Sequence, residues 1–111
     1  VPDPIRIRAQ VRNGGTDIHV LMPHPMETGF RKDEAGDFIP AHYITDVEIA
    51  VAGHVVLKAT LSRAVSEDPL LHFRIRGGQP NDPISVSWVD SWGERRSDDA
   101  VLTVITGLPG S

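Results

Sequence analysis

Ile5-Arg6-Ile7-Arg8-Ala9-Gln10-Val11-Arg12 is the stretch that decides the fold. Apolar and polar residues alternate without a break, the signature of a half-buried β-strand. Ile5, Ile7, Ala9 and Val11 face a core, and Arg6, Arg8, Gln10 and Arg12 face water. Asn13-Gly14-Gly15 follows as a turn. Thr16 to Met22 then reads as a second strand, with Ile18, Val20 and Met22 on one face. Pro23 and Pro25 end it, because proline cannot donate to a ladder.

The same period recurs downstream. Tyr43, Thr45, Val47, Ile49 and Val51 share one side of a strand, and Ala52-Gly53 is a hairpin turn. Val55, Leu57, Ala59 and Leu61 alternate with His54, Val56, Lys58 and Thr60. Ser62 to Pro69 is a polar crossing segment with room for one helical turn. Leu71, Phe73 and Ile75 form the next apolar row, and Gly77 to Pro83 is a loop. Ile84, Val86 and Trp88 alternate with Ser85, Ser87 and Val89. Trp92-Gly93 is a turn before a last strand over 96–105. Residues 107–111 read as a frayed end. Seven short strands with turns between them and no sustained helical period predict an all-β, antiparallel β-sandwich.

Composition narrows the function. The chain has 111 residues, 40% hydrophobic and 23% charged, which suits one folded domain. A net charge of −4 and a pI of about 5.6 argue against nonspecific nucleic-acid binding, which needs a concentrated basic surface. No apolar run approaches the ~20 residues of a membrane-spanning helix. With no cysteine, thiol catalysis and thiolate metal sites are excluded for this chain.

One connector is unlike the others. His24-Pro25-Met26-Glu27-Thr28-Gly29-Phe30-Arg31-Lys32-Asp33 follows the second strand and continues through Glu34-Ala35-Gly36-Asp37, a small hairpin closed between Phe30 and Phe38-Ile39, to Pro40. The prolines restrict its backbone, so ordering it on a partner costs less entropy. Met26 offers an adaptable apolar contact and Phe30 a rigid one. Glu27 and Arg31 are spaced to bridge. The segment reads as a docking loop. His24, Pro25, Met26, Glu27, Thr28, Gly29, Phe30, Arg31, Ile39, Pro40, Tyr43 and Trp92 are the candidate partner-binding residues.

Other chemistry is less well supported. Met22, His24 and Met26 combine thioethers with an imidazole, a donor set suited to Cu(I). The bland alternative is that Met22 is core and His24 a loop contact. Five histidines lie at 19, 24, 42, 54 and 72 without tight metal-ligand spacing, although antiparallel strands can bring distant residues together. Asp90, Glu94, Asp98 and Asp99 read as solvated hairpin charges. No Gly-x-Ser-x-Gly elbow appears and no nucleophile–base pair can be named, so no enzymatic role is expected.

His24-Pro25-Met26-Glu27-Thr28-Gly29, Arg31-Lys32-Asp33, Gly36, Ile39-Pro40 and Tyr43-Ile44 together resemble the SoxZ family. Ala59-x-Leu61, Ala64-Val65-Ser66, Asp68-Pro69, Phe73, Trp88-x-Asp90 and Gly93 continue the resemblance in order, over 4–104. It implies the small, non-catalytic subunit of a sulfur-carrier complex, with an immunoglobulin-like sandwich and no cofactor. It further implies pairing with SoxY, whose cysteine on a C-terminal arm carries covalent sulfur intermediates during thiosulfate oxidation. Transient contacts with other Sox enzymes follow, as does a periplasmic location reached by co-export with SoxY. A SoxZ-like domain cut from a fused carrier is a further expectation.

Overall fold

The computed structural model describes residues 2–104, so the expected frayed end at 107–111 lies outside the described residues. The strands are β1 (Arg6–Arg12), β2 (Gly15–Leu21), β3 (Ile44–Val51), β4 (His54–Thr60), β5 (Leu70–Arg76), β6 (Pro83–Asp90), β7 (Arg95–Val101) and β8 (Thr103–Val104). They form two four-stranded sheets, ordered β5-β2-β1-β8 and β4-β3-β6-β7. Every neighbouring pair is antiparallel except β1 and β8. The chain crosses between sheets after β2, β4, β5 and β7, the Greek-key habit of immunoglobulin-like sandwiches.

Local chemistry explains the hairpins. Asn13-Gly14 and Ala52-Gly53 each take two successive positive φ angles, 51° and 76°, and 50° and 81°. Such a pair turns the chain with the handedness that twisted strands need. Ala52 is the unusual choice, because a Cβ makes that region costly for alanine.

The core lies between the sheets. Ile18, Val20 and Met22 from one sheet face Ile49, Ile84, Val86 and Trp88 from the other, all essentially buried. Alternation anticipated most of these positions, but β3 departs from it. A bulge between Ile44 and Asp46 shifts the register against β6, so Ile44, not Thr45, turns inward with Val47. A second irregularity at Ile49/Ala50 puts Val55 of edge strand β4 at the surface.

Two further expectations are corrected. The last strand is not continuous: it breaks at Leu102, which is fully buried, and β8 leaves β7's sheet to run parallel to β1. Burying Leu102 requires that the chain step across the sandwich there. Residues 62–69 form turns, with Val65 N–H bonding to Ser62 C=O, and no helical turn.

Gly78 seals this end of the core. Its φ is +98°, and a Cβ there would meet Thr16 Oγ1 at 2.2 Å and Leu102 Cδ1 at 3.1 Å. Thr16 is itself buried and donates its hydroxyl to Gly77 C=O at 2.7 Å. Gly78→Ala combines backbone strain with a clash against a fixed hydroxyl. A loss of about 2–3 kcal/mol is expected by urea denaturation; unchanged stability would show that the 77–83 loop moves freely away from Thr16.

Candidate functional site

The 24–42 insertion is an ordered structure with its own fastenings. Glu27 and His42 pair as a two-way backbone bridge (2.7 and 2.9 Å), closing the insertion at its base. The expected Glu27–Arg31 ion pair is present, with Arg31 Nη2 2.7 Å from Glu27 Oε1. Thr28 Oγ1 accepts the Phe30 N–H (3.0 Å). Lys32 and Phe38 pair across the small hairpin, and Asp33 Oδ1 accepts the N–H groups of Ala35 and Asp37, fixing its turn.

Beneath the loop lies a cluster that joins three distant segments. His24 is buried. Its Nδ1 accepts the Met26 N–H (3.0 Å), so the neutral ring carries its proton on Nε2. That proton points to Asp90 Oδ2, 3.0 Å away. His42 Nε2 reaches the same oxygen at 2.6 Å and Glu94 Oε1 at 3.0 Å. Asp90 Oδ1 accepts the N–H groups of Trp92 and Glu94 at the tip of the β6–β7 hairpin. Burial pushes the Asp90 carboxyl up. Hydrogen bonds from His24, His42, and the Glu94 and Trp92 amides outweigh burial and hold it below the ordinary carboxylate value.

Asp90 is therefore corrected from a solvated hairpin charge to a buried hub, 3% exposed. Its role was hidden because its two histidines lie 66 and 48 residues away in sequence. An aspartate placed to cap a Gly93 turn was the visible half of the signal. A cleft of about 850 Å³ opens beside the cluster, lined by residues that include Arg6, His24, His42, Asp68, Trp88 and Glu94. Trp88 is core, as its alternation predicted, yet its indole N–H has no partner among the described residues.

The candidate docking residues divide. His24 and Met26 turn inward, and the adaptable surface contact expected of Met26 is absent: the residue is 4% exposed, and its Sδ accepts the Ile44 N–H at 3.3 Å. Met22 is fully buried, as the plain reading held. Phe30 (72% exposed) and Trp92 (59%) face solvent. Arg63 lies over both Phe30 and Tyr43, with Cζ 5.6 and 5.8 Å from their ring centres, and donates to Thr28 C=O. Trp92 stacks on His42 at 3.7 Å and donates its indole N–H to Ala41 C=O. Phe30 and partly buried Tyr43 thus share Arg63, and Trp92 covers His42 at the base of the insertion. Pro25, Arg31 and Pro40 on the same loop are exposed, and Thr28, Gly29 and Ile39 are half-buried. A Cβ added at Gly29, whose φ is +89°, would meet Ala41 Cβ at 3.1 Å. The sequence placed this loop correctly but could not tell which of its side chains faced out.

A second surface feature lies on the outer face of the β5-β2-β1 layer. His19 and His72 pair across strands and stack at 3.9 Å, with Arg8 next in the same row. Arg12 and Arg74 both bridge Asp17 at 3.0 Å, holding its carboxyl below the ordinary value.

On the opposite sheet, Asp98 ties the start of the chain to β7. Its Oδ2 accepts the Ile5 N–H (2.9 Å), and Arg96 forks onto both oxygens (2.8 Å each). Arg96 holds the Asp98 carboxyl below its ordinary 3.8, helped by the Ile5 amide and opposed by burial. Because the folded value is depressed, this contribution is full above the ordinary carboxylate value and is lost as pH falls through the folded one. Asp98→Asn is expected to flatten the acid limb of a melting profile, where pH falls from the ordinary carboxylate value of 3.8 through the depressed folded one. Superimposable acid limbs would show that Asp98 is not depressed.

Comparison with known proteins fits this architecture. No curated protein matches the chain. A superoxide reductase in its oxidized state aligns with a TM-score of 0.63 at 12% identity, covering 91% of this chain and 88% of that one. The superoxide reductase (neelaredoxin) from Ignicoccus hospitalis aligns at 0.60 and 13%, covering 93% and 81%. A variant of the Archaeoglobus fulgidus superoxide reductase (neelaredoxin) aligns at 0.62 and 17%, covering 92% and 90%. At such identities the likeness is one of fold alone. The model of the family described as sulphur oxidation protein SoxZ matches residues 5–101, a span that holds the 24–42 insertion, the His24–Asp90–His42 cluster and strands β1 to β7. This chain belongs to the SoxZ family.

Proposed function

We propose that this Sox subunit is a non-catalytic partner of a SoxY-like chain. It holds and presents that chain while covalent sulfur intermediates of thiosulfate oxidation ride on the partner's cysteine. The observation that carries the reading is two exposed aromatic side chains on a fastened frame: Phe30 on the insertion, and Trp92 on the β6–β7 hairpin, docked on Ala41 and His42 at the insertion's base. Aromatic anchors on a pre-ordered frame are the usual energetic centre of a protein interface. The chain has no thiol of its own, so the sulfur must sit elsewhere. Work in the periplasm after co-export with the partner is part of the same proposal.

The test is co-purification of the tagged chain with a SoxY-like protein, followed by intact mass measurement of both after thiosulfate turnover. A one-to-one complex with sulfur adducts on the partner's cysteine alone is the expected result. Failure to form a complex at micromolar concentrations, or adducts on this chain, would overturn it.

The copper reading loses support from the same geometry. Met26 sulfur and His24 Nδ1 are each engaged with backbone N–H groups, and Met22 is sealed in the core.

A further inference from the structure

We propose that His42, Asp90 and Glu94 form a divalent-metal site at the edge of the cleft, with His24 aiming Asp90. The inference is independent of the carrier reading. The three donor atoms come from two segments far apart in the chain. His42 Nε2 lies 2.6 Å from Asp90 Oδ2 and 3.0 Å from Glu94 Oε1. Donor–donor edges around a first-row divalent ion with bonds of about 2.0–2.2 Å are roughly 2.9–3.4 Å. Both edges from His42 Nε2 fall within a few tenths of an ångström of that range, so the exposed Glu94 side chain needs only a small adjustment to close the site.

His24, His42 and Asp90 all place one donor within 4.8 Å of the others, yet His24 does not belong in the ligand set. To ligate through Nε2 it must move its proton to Nδ1, where the Met26 N–H already points at that nitrogen. Two N–H groups would then face each other inside the protein. His24 instead keeps its Nε2 proton on Asp90, the hydrogen bond by which a ligating carboxylate is held in orientation. His42 has no such conflict. No group among the described residues contests its Nδ1, so the ring can carry its proton there. The ion takes the place of the Nε2 proton, which passes through solvent to Nδ1 and leaves the ring neutral.

The donor set defines the class of ion. One imidazole nitrogen and two carboxylate oxygens suit Zn²⁺, Fe²⁺ or Mn²⁺, and not Cu(I), which prefers sulfur. Access is available, because His42 and Glu94 line the cleft and the Glu94 side chain is 40% exposed. Water completes the coordination from that side. A bound ion would cross-link the insertion to the β6–β7 hairpin, adding stability by mass action.

The experiment is titration of the purified full chain with Co²⁺, read by visible absorption, with Zn²⁺ competition and melting curves with and without Zn²⁺. One Co²⁺ per chain, displaced by Zn²⁺, with a raised melting temperature, is expected. Glu94→Gln and His42→Gln should each weaken binding at least about tenfold, and His19→Gln should leave it unchanged. Glu94 is exposed enough that its variant folds, which circular dichroism checks. The proposal is overturned by absence of both the Co²⁺ spectrum and the Zn²⁺-induced shift. Binding that survives both Glu94→Gln and His42→Gln overturns it too, as does binding lost in His19→Gln.

Discussion

Asp90→Ala is expected to cost about 3–5 kcal/mol, a large share of the total stability of a domain of this size. The residue is 3% exposed and accepts hydrogen bonds from two imidazoles and two backbone amides. Alanine leaves the His24 Nε2–H buried without an acceptor and removes the cap from the β6–β7 hairpin. Orphaned buried donors carry their whole desolvation cost, which is why losing one partner is worse than never having had the pair. Asp90→Asn should fall between, because its Oδ1 still accepts the Trp92 and Glu94 amides while its NH₂ faces an N–H. Urea denaturation measures both, with Asp99→Ala on the outer face of β7 as a control expected within about 0.5 kcal/mol of the parent. If Asp90→Ala matched that control, the cluster would be an incidental contact and not the fastening of the insertion.

The second large effect concerns binding. Phe30→Ala is expected to weaken association with a SoxY-like partner by about 30-fold, the scale of an interface anchor worth about 2 kcal/mol. The residue is 72% exposed, so its own stability cost should be small. That separation makes it the cleaner probe. Trp92→Ala should weaken binding as much, and it also uncovers His42 and loses the bond to Ala41 C=O. Titration calorimetry with each variant, beside a melting curve, distinguishes the two contributions. Full affinity in the Phe30→Ala, Trp92→Ala double variant would move the partner surface away from the insertion while leaving the family membership intact. Met26→Ala, by contrast, belongs with the core substitutions, because its thioether is enclosed and bonded to the Ile44 amide.

Much of this architecture follows from period alone. Ile5 to Arg12, Thr16 to Met22 and Ile84 to Val89 alternate cleanly, and each appears as a strand with the expected inward face. The departures occur where a single residue breaks the period. Thr45 was assigned inward by counting in twos, and the bulge at that position reversed it. Leu102 looked like one more residue of a long strand, yet its burial takes the chain from one sheet to the other. A bulge or a sheet switch alters the face of every later residue without altering composition, so periodicity cannot report it.

The candidate site divides in the same way. The sequence by itself determined the all-β sandwich, the long insertion, the lack of cysteine in this chain and the SoxZ resemblance, because these rest on local pattern, composition and contiguous motif. Only the tertiary structure decided that Met26 faces in while Phe30 and Trp92 face out. It alone brought His24 and His42 onto one buried Asp90. Contacts across 48 and 66 residues depend on which sheets close over which loops. Strand pairing and burial set that closure, and both are properties of the packed chain rather than of any stretch within it.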